Sequence, residues 1–220
     1  MQPSMEVRWF LRGDMPRKKI QDWFKSGSDQ LGRMPFSDES RDDIYLSLTK
    51  TTDLSIKMRA GKNLEIKQRK IDAGMQVLKD GSQGRVEQWV KWSFSIPEKN
   101  EKGEMLMVPD ISSPEGSWTV VQKRRLLRKF EVKVGDIIEA VDAIKIRPKQ
   151  GCNLDIAWIE AGGQKWWSLG FESFGNLDTV EKNLLLVLNY VLADPAFPTL
   201  QAANSFAYPT WLSIVLTNGE

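Results

Sequence analysis

Charged and apolar side chains alternate along LSIKMRAGKNLEIKQRK, residues 54–70, on both sides of an Ala-Gly turn. This alternation predicts a β-hairpin, because successive side chains of a strand point to opposite faces. Ammonium and guanidinium groups at this spacing are suited to binding an anion, provided that the charged face is turned inward. That face carries Lys57, Arg59, Glu65, Lys67 and Arg69.

The same period of two places further charged residues on one face of other predicted strands. That face contains seven basic and four acidic side chains, a net charge of +3 in a chain whose total charge is only +2. Positive charge is therefore concentrated on one side of the predicted sheet. Its members are Glu6, Arg8, Lys57, Arg59, Glu65, Lys67, Arg69, Arg85, Glu87, Lys91 and Glu172.

Two arrangements of these strands fit the pattern. In an open sheet the apolar face packs in the core and the charges face water, which requires no ligand. In a closed barrel of about eight strands, helices cover the apolar outer face and the charges line the lumen. Charges inside a barrel must be paired or meet a ligand, since an unpaired buried ion costs several kcal/mol. An excess of positive charge would then require an anion.

Two amphipathic segments predict the covering helices. DMPRKKIQDWFKS predicts a short helix with Ile20, Trp23 and Phe24 as its buried stripe. LDTVEKNLLLVLNYVLAD predicts a longer helix with Asp178 as N-cap and a wide apolar face that must pack on the sheet. We expect the aromatic-rich tail beyond it to wrap the body. Residues 133–150 fit either a short helix followed by a strand or a pair of strands.

The composition excludes several kinds of site. The chain of 220 residues contains no His and only Cys152, which excludes Ser-His-Asp and Cys-His catalysis and a multi-cysteine zinc site. The near-neutral net charge does not favour nucleic acid as a partner.

The N-terminal residues and the longest apolar run indicate the compartment. Charges within the first ten or so residues argue against a signal peptide, and no apolar run approaches the ~20 residues that span a bilayer. We therefore expect a cytoplasmic protein without a membrane partner. We expect one domain over residues 1–220, with a barrel over about residues 5–175 and the C-terminal helix and tail over residues 177–220.

The order of these features resembles the CYTH-like, or triphosphate tunnel metalloenzyme, superfamily. That family opens on a strand with an ExExK motif, followed by a short helix and by basic hairpin strands similar to LSIKMRAGKNLEIKQRK. It closes on an acidic strand similar to WWSLGFESFG, and the resemblance covers most of residues 5–175. The resemblance implies an α+β fold, an antiparallel eight-stranded tunnel with covering helices. Family members cleave polyphosphate, nucleoside triphosphates or thiamine triphosphate, or cyclise ATP.

The sequence departs from the family pattern in both acidic strands. Ser4, Glu6 and Arg8 stand at the positions of ExExK, so the first carboxylate is missing and the lysine is an arginine. On the closing strand Glu172 is the one acidic residue on the matching face, with a glycine and a serine at the two preceding positions of that face.

Carried over by position, the resemblance makes Glu6 and Glu172 candidate ligands for Mg²⁺ or Mn²⁺. These ions commonly take one or two carboxylates together with phosphate oxygens and water. The resemblance and the charged face together give the phosphate candidates, which are Arg8, Lys57, Arg59, Lys67, Arg69, Arg85, Lys91, Lys123 and Arg125.

Strand register leaves open which basic residues of one strand face inward and which residue supplies a further acid. Along QKRRLLRK, alternation places either Arg124 or the pair Lys123 and Arg125 on the inner face. Either Asp155 or Glu160 supplies a further acid, again according to register.

The sequence thus predicts a protein that binds a triphosphate or polyphosphate compound in a basic tunnel. If it is an enzyme, it is a metal-dependent triphosphatase in which Glu65 or Glu87 orients the attacking water, because there is no histidine for that role. The alternative is a non-catalytic family member that binds a phosphorylated ligand or a protein partner, which the missing carboxylate favours. The oligomeric state stays open.

Overall fold

Nine antiparallel strands make up most of the described chain, which comprises residues 2–12, 15–26, 36–48, 50–96, 118–195 and 197–217 of a computed structural model. The first five strands are β1 (Gln2–Leu11), β2 (Ser37–Leu46), β3 (Leu54–Arg59), β4 (Asn63–Val77) and β5 (Gln83–Ser95). The others are β6 (Trp118–Lys133), β7 (Ile137–Val141), β8 (Gly151–Ala161) and β9 (Gln164–Phe174). The helices are α1 (Met15–Ser26), α2 (Leu177–Leu192) and α3 (Tyr208–Thr217), with a 3₁₀ turn at Ala202–Asn204.

Eight of these strands close into a barrel. They pair in the order β2-β3-β4-β5-β1-β9-β8-β6, and β6 pairs back with β2 along the whole of Ser37–Leu46. This closure confirms the predicted antiparallel eight-stranded barrel. The short strand β7 pairs with the end of β6 outside the closed ring. The segment 133–150, which the sequence left open, is therefore a strand flanked by turns and contains no helix.

Helices cover the apolar outer face of the barrel. Val180, Leu184 and Leu188 of α2 are buried in one cluster with Met5 of β1 and Leu169 of β9. α1 adds its predicted buried stripe to the same cluster. Burial of one such side chain contributes roughly 1.5–3 kcal/mol, so covering this face drives the closure. The outer face is thus apolar, and the charged face of the strands points inward.

The ends of the helices differ from the prediction in one respect. α2 begins one residue after Asn176, which is its N-cap, whereas the sequence predicted Asp178 as the N-cap. Asp178 lies in the first turn instead, where a negative charge is still favourable to the helix dipole. No helix of the described residues is long and apolar enough to cross a membrane.

Aromatic residues fill one end of the barrel interior. Phe10, which follows the charged residues of β1 on the inward face, is fully buried there. Its ring stacks on Phe206 and on Trp211 of α3, with centroids 5.1 and 5.5 Å apart. Tyr208 of α3 meets the same ring edge-on. The C-terminal tail therefore packs into this end of the barrel and adds side chains to its interior.

Candidate functional site

A cavity of about 110 Å³ lies within the barrel. Eight basic and five acidic side chains line it, a net charge of +3. They include seven of the nine predicted phosphate candidates and all four predicted carboxylates. The basic side chains are Arg8, Arg41, Lys57, Arg59, Lys67, Lys91, Lys123 and Arg125, and the acidic ones are Glu6, Glu65, Glu87, Asp155 and Glu172.

Arg69 and Arg85 are the two phosphate candidates that the structure does not bring to this cavity. Nη1 of Arg69 donates to Oε1 of Glu87 at 2.5 Å, so Arg69 reaches the cavity only through that carboxylate. The guanidinium of Arg85 pairs with Asp72 and is 43% exposed. The register of β4 shifts just after Arg69 and again just after Asp72, the partner of Arg85. Strict alternation anticipates neither these bulges nor the two ion pairs.

The register of β6 is settled by what its side chains contact. Lys123 and Arg125 line the cavity, whereas Arg124 points outward into an exposed ion pair. Across the pairing with β8, Asp155 lines the cavity and is 1% exposed. Glu160, the other candidate, does not line it and is 41% exposed. The further acid left open by the sequence is therefore Asp155.

Three glutamates lie side by side on neighbouring strands. Glu87 of β5 and Glu172 of β9 are both register partners of Glu6 on β1. Like charges directly opposite one another are destabilising, so this row requires cations. Nζ of Lys67 donates to Oε1 of Glu6 at 2.6 Å and to Oε1 of Glu172 at 3.1 Å. Arg69 neutralises Glu87.

These contacts hold the row in defined ionisation states. Burial alone would lower the pKa of Lys67, but Glu172 and Glu6 raise it above the ordinary lysine value. Burial would likewise raise the pKa of Glu172, yet nearby cations, Lys67 first among them, lower it. Glu87 differs, because burial raises its pKa more than Arg69 lowers it. Glu87 therefore takes up a proton more readily than Glu172.

Arg8 reaches across β9 to Asp155. Its Nη1 and Nη2 donate to the two carboxylate oxygens at 3.1 and 3.0 Å, and Nη1 also donates to Oγ of Ser168 at 3.1 Å. Gly170 is the register partner of both residues, and a Cβ at Gly170 would overlap the guanidinium. Gly170 and Ser168 thus make room for the Arg8 guanidinium and provide one of its hydrogen-bond acceptors.

Strand β2 contributes residues that the sequence analysis missed. Asp43 is fully buried and accepts hydrogen bonds from Nζ of Lys57 at 3.1 Å and from Nε of Arg41 at 2.9 Å. Burial opposes ionisation of Asp43, but Lys57 and Arg41 lower its pKa to about 2. Arg41, Asp43 and Tyr45 alternate along RDDIYLSLT, so the period of two already contained the signal that would have found them.

Lys123 meets a hydroxyl group where other lumen cations meet carboxylates. Its Nζ lies 2.8 Å from Oη of Tyr208, and it takes part in no ion pair of the described chain. Burial lowers the pKa of Lys123 well below the ordinary lysine value, and Arg8 and Lys57 lower it further, against the influence of Asp155. Burial also raises the pKa of Tyr208. No pattern in the tail sequence pointed to Tyr208.

Lys91 and Arg125 are two further cations without a close carboxylate. Lys91 forms no ion pair with any residue that the structure describes. Nε of Arg125 lies 3.8 Å from Asp155 and is buried without a hydrogen-bond partner. Both cations, after Lys67, lower the pKa of Glu172. Because neither has a carboxylate of the described residues closer than the 3.8 Å contact of Arg125, both charges can meet an anionic ligand.

The metal implied by the family resemblance can be tested against these positions. Mg²⁺ binds carboxylate oxygens at about 2.0–2.1 Å, yet the Lys67 ammonium already lies between the oxygens of Glu6 and Glu172. In the part of the chain that the structure describes, no three acidic or cysteine side chains converge as a metal site. As arranged, the two carboxylates do not fit a divalent ion, and their role as metal ligands stays a prediction.

Comparison with known proteins gives matches only at the level of structure. No family model and no curated protein matches the sequence. S. pombe Pct1 RNA triphosphatase is 8% identical, with a TM-score of 0.41 over 88% of this chain and 82% of that one. The Mimivirus capping enzyme triphosphatase is 10% identical, with a TM-score of 0.44 over 87% and 90%. PH1819 from Pyrococcus Horikoshii OT3 is 13% identical, with a TM-score of 0.42 over 98% and 99%. Two of these three proteins are named triphosphatases.

Proposed function

We propose that the barrel lumen binds the phosphate groups of a triphosphate or oligophosphate compound. The observation that carries this proposal is the convergence of eight basic side chains from six strands on one cavity, where five lining carboxylates and the buried Asp43 are their acidic counterparts. A buried excess of positive charge is costly unless an anion compensates it. Phosphate oxygens are suited to this role, because they accept hydrogen bonds from ammonium and guanidinium groups alike.

The size of the cavity determines how such a ligand binds. At about 110 Å³ it is smaller than the roughly 300–1,000 Å³ of most small-molecule sites. A ligand with several phosphates must therefore displace side chains and replace carboxylates as partners of the cations. Lys91, Lys123 and Arg125 lose no close ion pair on binding, so we assign them the first contacts. Arg59, which is 33% exposed, follows by exchanging partners.

The matched pair Arg125 and Arg124 tests this site. Replacement of Arg125 by Met should weaken tripolyphosphate binding at least tenfold, since a hydrogen bond to a charged group contributes about 1.5–3 kcal/mol. Arg124→Met changes the neighbouring residue on the outer face and should leave affinity within about twofold of wild type. Isothermal titration calorimetry measures both. Equal affinities in the two variants, or no binding by the wild type, would remove the lumen from consideration.

Hydrolysis of the bound phosphate chain is a second candidate function, and Glu87 favours it. Both candidate bases line the cavity, but they differ in pKa. Lys57 and Arg59 overcome the effect of burial and lower the pKa of Glu65, whereas burial raises the pKa of Glu87. A general base works best when its pKa approaches the working pH, so Glu87 is the better placed of the two to orient and deprotonate water.

Phosphate release separates the catalytic function from the non-catalytic alternative. With tripolyphosphate, ATP or thiamine triphosphate as substrate, Glu87→Gln should lower the rate of release about 100-fold or more, the usual contribution of a general base. Glu65→Gln should lower it less. A wild-type protein that binds these compounds and releases no phosphate from any of them would be the non-catalytic binding protein.

A further inference from the structure

The lysine between Glu6 and Glu172 occupies the place where two carboxylates would hold a metal ion. Its Nζ lies 2.6 Å from Glu6 and 3.1 Å from Glu172, so one ammonium joins β4 to β1 and β9. The hydroxyl of Ser4 donates to the same Glu6 oxygen at 2.6 Å. Both carboxylates therefore have their partners within the protein.

The charges around this pair favour an anion over a second cation. Lys91 and Arg125 also act on Glu172, so two carboxylates face three cations. The cluster of Glu6, Glu172, Lys67, Lys91 and Arg125 has a net charge of +1. A divalent cation entering here would displace an ammonium that it also repels. A phosphate group would be attracted by the same cluster.

We propose that the Lys67 ammonium serves in place of a divalent cation in this lumen, so that oligophosphate binding there does not require a metal. The part of this inference that concerns oligophosphate rests on the proposed function. The part that concerns the carboxylate pair does not depend on it. Lys67 supplies the positive charge that holds Glu6 and Glu172 together, and because an ammonium has three donors and Lys67 lines the cavity, one donor remains for a phosphate oxygen.

Removal of Lys67 should create the metal site that Lys67 now fills. In Lys67→Met the two carboxylates lose their shared cation, and we expect Mn²⁺ to bind at least tenfold more tightly than to the wild type. Lys91→Met is the matched control, because Lys91 is the register partner of Lys67 on β5 but contacts neither carboxylate. Binding is measured by the electron paramagnetic resonance signal of free Mn²⁺, without phosphate, since tripolyphosphate itself chelates the ion.

The second measurement uses the wild-type protein. Tripolyphosphate should bind with the same affinity in EDTA as in the presence of Mn²⁺. If Lys67→Met does not fold, Lys67→Gln is used, because its amide still donates a hydrogen bond to one carboxylate.

Three results would overturn the inference. The first is Mn²⁺ binding to the wild type as tightly as to the Lys67 variant. The second is a gain in Mn²⁺ affinity in Lys91→Met equal to that in the Lys67 variant. The third is wild-type tripolyphosphate binding that disappears in EDTA. Failure of the proposed function looks different, because the wild type would then bind tripolyphosphate under neither condition while the Mn²⁺ comparison still stood.

Discussion

Replacement of Asp155 by Asn is expected to lower the free energy of unfolding by about 3–5 kcal/mol, the usual cost of removing one partner of a buried ion pair. Asp155 is 1% exposed and accepts two hydrogen bonds from Arg8, whose side chain is 11% exposed. An asparagine keeps the shape but leaves the guanidinium without its counter-charge. Arg125, 3.8 Å away, loses its nearest carboxylate as well. Urea denaturation at neutral pH measures the change.

Asp38→Asn is the matched control for this prediction. Asp38 also pairs with an arginine, but it is 41% exposed, and such surface pairs contribute only about 0–1 kcal/mol. The pH dependence gives a second test. Burial raises the pKa of Asp155, but Arg8 lowers it below the value of an unfolded chain. Its stabilisation is therefore complete above the unfolded pKa and is lost as the pH falls below it. An equal decrease in the free energy of unfolding in Asp155→Asn and Asp38→Asn would contradict the prediction.

Tripolyphosphate binding is expected to be accompanied by proton uptake at Lys123. The pKa of Lys123 is well below that of an ordinary lysine, chiefly because of burial, and a bound polyanion would raise it again. The affinity for tripolyphosphate should then fall as the pH rises from the pKa of Lys123 in the free protein to its pKa in the complex, by up to about tenfold per pH unit. The charged and titratable groups that face Lys123 are Arg8 of β1, Asp43 of β2, Lys57 of β3, Arg125 of β6, Asp155 of β8 and Tyr208 of α3.

Calorimetry in buffers of different ionisation enthalpy counts the protons taken up. Lys123→Arg is the matched control, because an arginine stays charged and cannot exchange a proton in this range. Protons bound by tripolyphosphate itself contribute equally to both proteins, so the difference between them isolates Lys123. If wild type and Lys123→Arg take up the same number of protons, Lys123 is already charged in the free protein and the prediction is wrong.

The closed barrel could be predicted from two patterns together with the family resemblance. Alternation placed charges on one face of the strands, and the wide apolar face of α2 required an apolar sheet surface to cover. An open sheet with water on its charged face also fits both patterns, so the resemblance decided between the two arrangements. The position of β1 between β5 and β9 has no local signal, because it depends on which distant strands meet at closure. The contact of Lys67 with two glutamates from β1 and β9 could not be predicted for that reason.

Two kinds of site residue escaped sequence reasoning for different reasons. Arg69 and Arg85 instead pair with Glu87 and Asp72, and neither these ion pairs nor the bulges of β4 beside them are specified by alternation. Tyr208 reaches Lys123 from a tail with no periodicity, where it stacks on Tyr45 and meets Phe10 edge-on. Such contacts depend on the shape of the barrel end, which no single segment of the chain encodes.

The missing side chain at Gly170 couples substitutions on two strands. Arg8 crosses β9 where position 170 has no Cβ, and a Cβ there would meet its guanidinium. A lysine at position 8 has a slimmer head group and would need less of that space. A side chain at position 170 and the present position of the Arg8 guanidinium therefore exclude each other. The effects of substitutions at positions 8 and 170 on the free energy of unfolding should not be additive.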